Sequence, residues 1–425
     1  MSDRRVSTMA GGLVGSEILK IAADIRALVA GGAEVCNLTV GDFSPKQFRI
    51  PQVLERDIIQ ALQNGETNYP PSEGVPELRR AVGDFYQRWL GLTYGLESIL
   101  VTAGSRPGIF STYAALVDPG DTVVYPVPSW NNNHYVHMTG ARGVAVVCGS
   151  ENAFLPTRAL LEPHIRGARL LALNSPLNPS GTAFTAEALS EICDLVLEEN
   201  ARRGADERPL YVMYDQVYWM LTFEGTTHVN PVSLRPEMRE YTVFVDGISK
   251  AFAATGVRVG WTVGPADVTK RMMSALGHVG AWAPRAEQLA TATVLADTAA
   301  IEAYHAEMKV GVQRRLDALY EGVQALAQAG YPVRAIPPMG AIYLSVCFPL
   351  HGWTTPNGAV LATNDDIRLY LLDAAGLAVV PFQAFGMTED TGWFRTSVGA
   401  VSLDQIRAMF ARLTPALAAL TRPNS

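Results

Sequence analysis

The sequence predicts an α/β fold, with a large domain built on a mostly parallel sheet and a smaller α+β domain after it. Apolar runs at Ile99 to Val101, Thr122 to Tyr125, Val144 to Val147, Leu170 to Leu173, Leu210 to Tyr214, Val243 to Val245 and Val259 to Val263 are interspersed with helical segments such as Ala186 to Glu198. These runs do not alternate apolar with polar residues, so their strands are expected to be buried on both faces. The 425 residues exceed what one hydrophobic core organises. Past about residue 325 the strands shorten (Ala341 to Cys347, Ala378 to Val380, Phe394 to Val398) before a helix from Leu403 to Leu420. The expected division is an N-terminal segment 1–50 that packs with the small domain, a large domain 51–325 and a small domain 326–425.

Ser16 to Ala30 places Ile18, Ile21, Ala22, Ile25 and Leu28 at helical spacing, with Ser16 as cap and Gly31-Gly32 as stop. Val35 to Val40 reads as a short strand that runs into a turn at Gly41-Asp42. Helices are expected from Gln52 to Gln63 and from Glu77 to Trp89, with the proline-rich loop of Tyr69, Pro70 and Pro71 between them.

Composition removes several function classes. The 34 basic and 41 acidic residues leave a charge of -7 without a long run of one sign, which argues against nucleic acid as a partner. No stretch of eighteen apolar residues is present, so a membrane span is not expected. Cys36, Cys148, Cys193 and Cys347 are far apart and show no metal-ligand spacing, so neither a bound metal nor a disulfide framework is expected. The start lacks a compact apolar core with a cleavage site, and the expected location is cytoplasmic.

Chemistry-bearing residues recur where the apolar runs end, the edge at which open α/β sheets bind ligands. After Tyr241 to Val245 comes Lys250, in a loop between Ser249 and Ala251, suited to a Schiff base with a carbonyl cofactor. Arg258 follows between Gly256 and Gly260, where a guanidinium can grip a phosphate and backbone can come close. A capturing amine beside a phosphate-gripping guanidinium is what pyridoxal 5'-phosphate requires. After Val101, Gly104, Ser105 and Arg106 open a helix whose free N–H groups favour an anion. Trp130 follows Tyr125 between turn residues and can stack on a flat ring or fill a core. Asn178 follows Leu173 with an amide able to donate to a phenolate oxygen, which Tyr218 can also reach. Asp215 follows Tyr214, and a carboxylate at the end of a buried strand needs a cation such as a protonated pyridine. No GxGxxG or Walker loop competes for this edge.

These residues, with N-P-S-G at Asn178 to Gly181, Y-D-Q-V-Y at Tyr214 to Tyr218, S-K at Ser249-Lys250, T-G-V-R-V-G at Thr255 to Gly260 and F-R-T-S at Phe394 to Ser397, resemble the class I/II aminotransferases. That family comprises fold-type-I pyridoxal-phosphate enzymes, and the resemblance runs from about Val35 to Val398. It implies a transaminase that moves an amino group between an L-amino acid and a 2-oxo acid by ping-pong half-reactions. The alternative on the same site is a lyase, of carbon-sulfur or aminocyclopropane-carboxylate-synthase type. By the resemblance Lys250 carries the cofactor and then moves the substrate's α-proton, Asp215 pairs with the ring nitrogen, Asn178 and Tyr218 hold its phenolate oxygen, and Trp130 stacks on it. Ser105, Arg106, Ser249 and Arg258 lie at phosphate positions. Tyr69 matches a tyrosine that reaches the neighbouring subunit's phosphate, which implies a homodimer with shared active sites. Arg395 matches the arginine that binds the substrate α-carboxylate, with the Gly41 backbone opposite and Asn178 and Trp130 beside it.

Five departures qualify the resemblance. Gly247 stands where many members have a phosphate-binding serine, which leaves Ser249 and Ser105 to compensate. A histidine that supports the ring-bound aspartate in some members falls near Asn133 or His134. Val379 to Gly386 carries Phe382 and Gln383 in place of small residues, and both are expected near the substrate mouth. Arg106 lies where one bacterial subgroup of aspartate aminotransferases uses a lysine to read a distal carboxylate, so it serves either the cofactor phosphate or an acidic substrate such as aspartate or glutamate. The segment from His278 lacks an arginine where other members hold that carboxylate, and Arg285 comes several residues later.

Overall fold

Strand propensity and burial put the apolar runs side by side. The structure, a computed structural model, describes residues 5–13, 17–204, 206–223 and 225–423. In chain order its strands are β1 (Cys36–Asn37), β2 (Ile99–Thr102), β3 (Thr122–Val127), β4 (Arg142–Val147), β5 (Leu170–Asn174), β6 (Tyr211–Asp215), β7 (Thr242–Gly247), β8 (Gly260–Val263), β9 (Arg334–Ala335), β10 (Tyr343–Cys347), β11 (Leu377–Ala378), β12 (Val380–Pro381) and β13 (Trp393–Ser397). A seven-stranded sheet has the order β2-β8-β7-β6-β5-β3-β4. The neighbours from β7 through β4 are parallel, and β8 runs antiparallel to both β7 and β2. Only one helical turn, Ile248–Ala251, lies between β7 and β8, so the chain returns beside its own strand without a crossover helix.

Successive residues of the central strands feed different cores, as the two-residue period requires. Phe244 joins Tyr214, Leu173 and helices Pro76–Leu90 and Ala186–Arg202 on one face. Val243 and Val245 join Met213 and helices Ser105–Leu116 and Ala266–Val279 on the other. Each such apolar side chain, fully buried, contributes roughly 1.5–3 kcal/mol. The edge strand β4 departs from the expected two-sided burial: it is largely open to solvent, and Val147 is 58% exposed, because β4 is the last strand of the sheet among the described residues.

The long helix Thr298–Gln328 contributes Ile301 to the first core, and Met308, Val312 and Leu316 to a separate core around β10 and β13. That second core includes the four-stranded sheet β12-β13-β10-β9 and helix Leu403–Ala418. Residues Ala378 to Val380, expected as one strand, divide: β11 pairs in parallel with β1, while β12 pairs antiparallel with β13. The N-terminal run Val35 to Val40 shrinks to β1, whose ladder pairs are Cys36 with Leu377 and Asn37 with Ala378. Helix Glu17–Ala30 buries Ile21 and Ile25; Ser16, expected as its cap, and the side chain of Ile18 lie outside the described residues.

Candidate active site

The ends of β2, β3, β5, β6 and β7 converge on a cavity of about 620 Å³, closed from the other side by residues 37–42, by Tyr343 of β10 and by Arg395 of β13. Among its lining residues, Arg106, Arg258, Arg395 and Lys250 supply positive charge, and Asp42 and Asp215 supply negative charge.

Lys250 stands in the helical turn after β7, where an open loop was expected; the i to i−4 bond from the Phe252 N–H to the Ile248 carbonyl closes the turn. Its Nζ donates to the Gly41 carbonyl oxygen at 2.6 Å and lies 5.8 Å from the Tyr218 ring centroid. Burial pulls its pKa down to about 8, opposed by the nearby Asp42 charge. Asp215 closes β6 and accepts the Val217 N–H at 3.1 Å. Burial raises its pKa to about 6, against that hydrogen bond and the charge of Lys250. Near Asn133 and His134, the buried Tyr135 turns inward against Tyr113 and lies close enough to Asp215 to feel its charge, whereas Asn133 is exposed.

Asn178 is fixed by a relay: its N–H donates to Asn174 Oδ1 at 2.8 Å, and Asn174 Nδ2 donates to the Asp215 carbonyl at 2.8 Å. Arg395 Nη1 donates to Asn178 Oδ1 at 3.1 Å, and Nη2 donates to the Thr39 carbonyl at 2.7 Å. The guanidinium lies between the rings of Tyr343 and Phe385, 4.8 Å from each centroid, with Nε buried and unpartnered. Its pKa is lowered by burial.

Close backbone approach builds the other end of the cavity. A Cβ at Gly247 would lie 2.7 Å from the Gly260 Cα, and one at Gly260 would lie 2.6 Å from the Gly104 carbonyl carbon. A serine at 247 is therefore excluded by packing against the paired strand. Gly104, at φ 81°, precedes helix Ser105–Leu116 without a side-chain cap, so the first N–H groups of that helix are not capped by a side chain. Arg258 adopts φ 63° and donates to the Ala103 and Thr255 carbonyls, both at 2.8 Å. Ser249 is buried on the cavity wall. Arg106 is exposed, with its guanidinium carbon 5.5 Å from the centroid of the Trp130 ring.

Of the residues expected at the site, Gly41, Ser105, Arg106, Trp130, Asn178, Asp215, Tyr218, Ser249, Lys250, Arg258 and Arg395 all line this cavity. Tyr69, expected at the neighbouring subunit's site, is 83% exposed and rests edge-on against Trp282 at 5.5 Å. Phe382 and Gln383 lie outside the cavity. Phe382 is fully buried against Phe154 and Phe385, and Gln383 is tied to Asn364, Glu389 and Asp390. In the 3-10 turn Phe382–Phe385 the two phenylalanines share a face and pack together, and Phe385 is the one that lies beside the Arg395 guanidinium.

Tyr343 is the main residue that sequence reasoning missed. Its hydroxyl is 2.5 Å from that of Tyr218, and both are buried. A tyrosine inside an apolar strand carries no signal that separates it from core. Asp42, which accepts from Thr255 Oγ1 at 2.6 Å, was legible only as part of a turn.

Residues 33–413 match the family described as aminotransferase class I and II. An aspartate aminotransferase of Rhizobium meliloti (strain 1021) is 32% identical over 404 residues, covering 94% of this chain and 93% of that protein. A probable aspartate/prephenate aminotransferase of Rhizobium leguminosarum bv. phaseoli is 32% identical over 406 residues, covering 94% and 95%. Among solved structures, the aspartate aminotransferase from Rhizobium meliloti superposes with a TM-score of 0.89 at 30% identity, covering 98% of this chain and 99% of that one. The Thermus thermophilus aspartate aminotransferase with maleate gives 0.85 at 28% identity, covering 97% and 99%.

Proposed function

The chain belongs to the class I and II aminotransferases and is a transaminase, and we propose that it uses pyridoxal 5'-phosphate to move an amino group from an acidic L-amino acid to a 2-oxo acid. The observation that carries this reading is the convergence of Lys250, Asp215 and Arg395 on one cavity.

The residues present fit the cofactor. Four cationic side chains face two carboxylates, so positive charge is left for a phosphate and a substrate carboxylate. The N-terminus of helix Ser105–Leu116 is not capped by a side chain, and the buried Arg395 Nε is unpartnered. When bound, the cofactor supplies an aldehyde that accepts the substrate's amino group and a ring that draws off the electron pair left at Cα.

Ser105, Ser249, Arg258 and the helix N-terminus would hold its phosphate. Asp215, buried and accepting the Val217 N–H, would hold a protonated ring nitrogen. Tyr218 and Asn178 would bind its ring oxygen, and Trp130 would cover the ring. Arg395 would grip the substrate α-carboxylate, held in place by Asn178 and Thr39. Lys250 Nζ would take the proton from substrate Cα and deliver it to the carbon that the cofactor's aldehyde supplies. An amine near pKa 8 suits that exchange close to neutral pH. Arg106, exposed at the rim, would read a distal carboxylate, in keeping with the names of the relatives. The working unit is proposed to be a cytoplasmic homodimer, with Tyr69 reaching the partner's phosphate site. The 83% exposed Tyr69 and the exposed Ile59 and Leu62 support an interface on that side.

Absorbance of the purified protein, titrated with L-aspartate, L-glutamate and apolar amino acids, tests the reading. The cofactor's aldehyde band should convert to the amine band and return on addition of a 2-oxo acid. No visible absorbance after loading, or no conversion with any amino acid, would overturn it. Mixing Tyr69→Phe subunits with Lys250→Ala subunits should form heterodimers that keep one site with both native groups. Full activity of a strict monomer would remove the shared site.

A further inference from the structure

On the sheet face opposite Asp215, a buried carboxyl joins the two turns that carry the site. Asp246 is 1% exposed. Its Oδ1 accepts the Gly247 N–H at 2.7 Å, and its Oδ2 accepts Trp219 Nε1–H at 2.9 Å and the Tyr86 hydroxyl at 3.1 Å. Gln216 Nε2 donates to the same tyrosine oxygen at 3.2 Å. The groups donating to Asp246 are an amide, an indole and a phenol. A buried carboxyl served by neutral donors is costly to keep for packing alone, since an apolar residue of similar size would fill the space at lower cost.

The partners have in common their neighbours in the chain. Gln216 follows Asp215, Trp219 follows Tyr218, and Gly247 opens the turn that presents Lys250. The backbone makes the same join once, through the Gln216 N–H to the Val245 carbonyl at 3.0 Å. We propose that Asp246 is a positioning residue for transamination, the shared acceptor that holds the Asp215–Trp219 turn in register with the Gly247–Lys250 turn. This rests on the reading that those turns hold the cofactor and the reacting lysine. Asparagine is a sharp probe at 246, because its NH₂ must face a group that is itself a donor.

The test compares cofactor-loaded wild type, Asp246→Asn and Tyr86→Phe, which removes a single donor. Asp246→Asn should lower kcat on the order of tenfold to a hundredfold with little change in KM, as for a small misplacement of reacting groups. It should also shift the pH midpoint of the cofactor absorbance. In the cofactor-free protein, hydrogen exchange should rise in peptides covering 215–221 and 246–252 and stay unchanged in helix Leu403–Ala418. Tyr86→Phe should move the same quantities in the same direction by less, and it decides the matter if Asp246→Asn does not fold. The proposal is overturned if the folded variants match wild type in kcat, midpoint and exchange, or if exchange rises throughout the chain. An inactive, colourless wild type would instead overturn the functional reading.

Discussion

The Lys250 ammonium and the Gly41 carbonyl oxygen, 209 positions apart in sequence, meet in a 2.6 Å hydrogen bond across the mouth of the cavity. This contact joins the β7 turn to the N-terminal segment. It also places Gly41 beside Arg395, where a Cβ would lie 3.4 Å from Nη1.

Replacement of Lys250 by alanine should abolish transamination while the protein still retains some cofactor without a covalent link, because the phosphate and ring contacts remain. In the cofactor-free wild type, the rate of aldehyde capture should climb with pH up to about 8 and then level, as the buried amine loses its proton. Turnover by Lys250→Ala without added amine, or a capture rate that keeps climbing to pH 10, would contradict this.

Asp215→Asn should reduce kcat on the order of 10²–10³-fold, because a neutral amide does not hold the ring nitrogen protonated. Near-normal turnover would misplace that nitrogen.

Tyr343→Phe deletes one hydroxyl of the 2.5 Å pair with Tyr218. About 1 kcal/mol, roughly fivefold in kcat/KM, is expected from the freed and less well oriented Tyr218. Unchanged kinetics would mean that Tyr218 is held by its other neighbours.

Arg106→Gln should cost aspartate and glutamate roughly 2 kcal/mol in kcat/KM and leave alanine or phenylalanine almost unaffected. An equal loss for every donor, with weaker cofactor retention, would assign Arg106 to the phosphate.

Burial raises the folded pKa of Asp215 to about 6 and of Asp246 to about 7, both from 3.8. A raised carboxyl binds its proton more tightly when folded, so its contribution is present at low pH and is lost as pH rises through the folded value. The buried His228 and His305, lowered to about 3 and about 4, act in the opposite sense up to their unfolded pKa of 6.5. The clean measurement is therefore a difference. Between pH 5 and 8 the denaturation midpoint of cofactor-free wild type should fall relative to that of Asp246→Asn, and a parallel pair of curves would refute the assignment.

What the sequence by itself determined is the local chemistry at each strand end. Lys250, Asp215 and Asn178 each follow a run of apolar residues that reads as a buried strand, Arg258 stands just before one, and the turn residues beside them set where the chain leaves the sheet. Such signals span a few residues, so they are readable without a partner. Only the tertiary structure decided which side chains face one another. Phe382 and Phe385 fall on one buried face because side chains three apart eclipse in a 3-10 turn, and only the packing of that turn against β13 puts Phe385 beside Arg395, which composition does not reveal. The Tyr218–Tyr343 pair and the tie from Asp246 to Tyr86 and Trp219 bridge segments distant in the chain, and their hydrogen bonds exist only once separate strands and helices have packed.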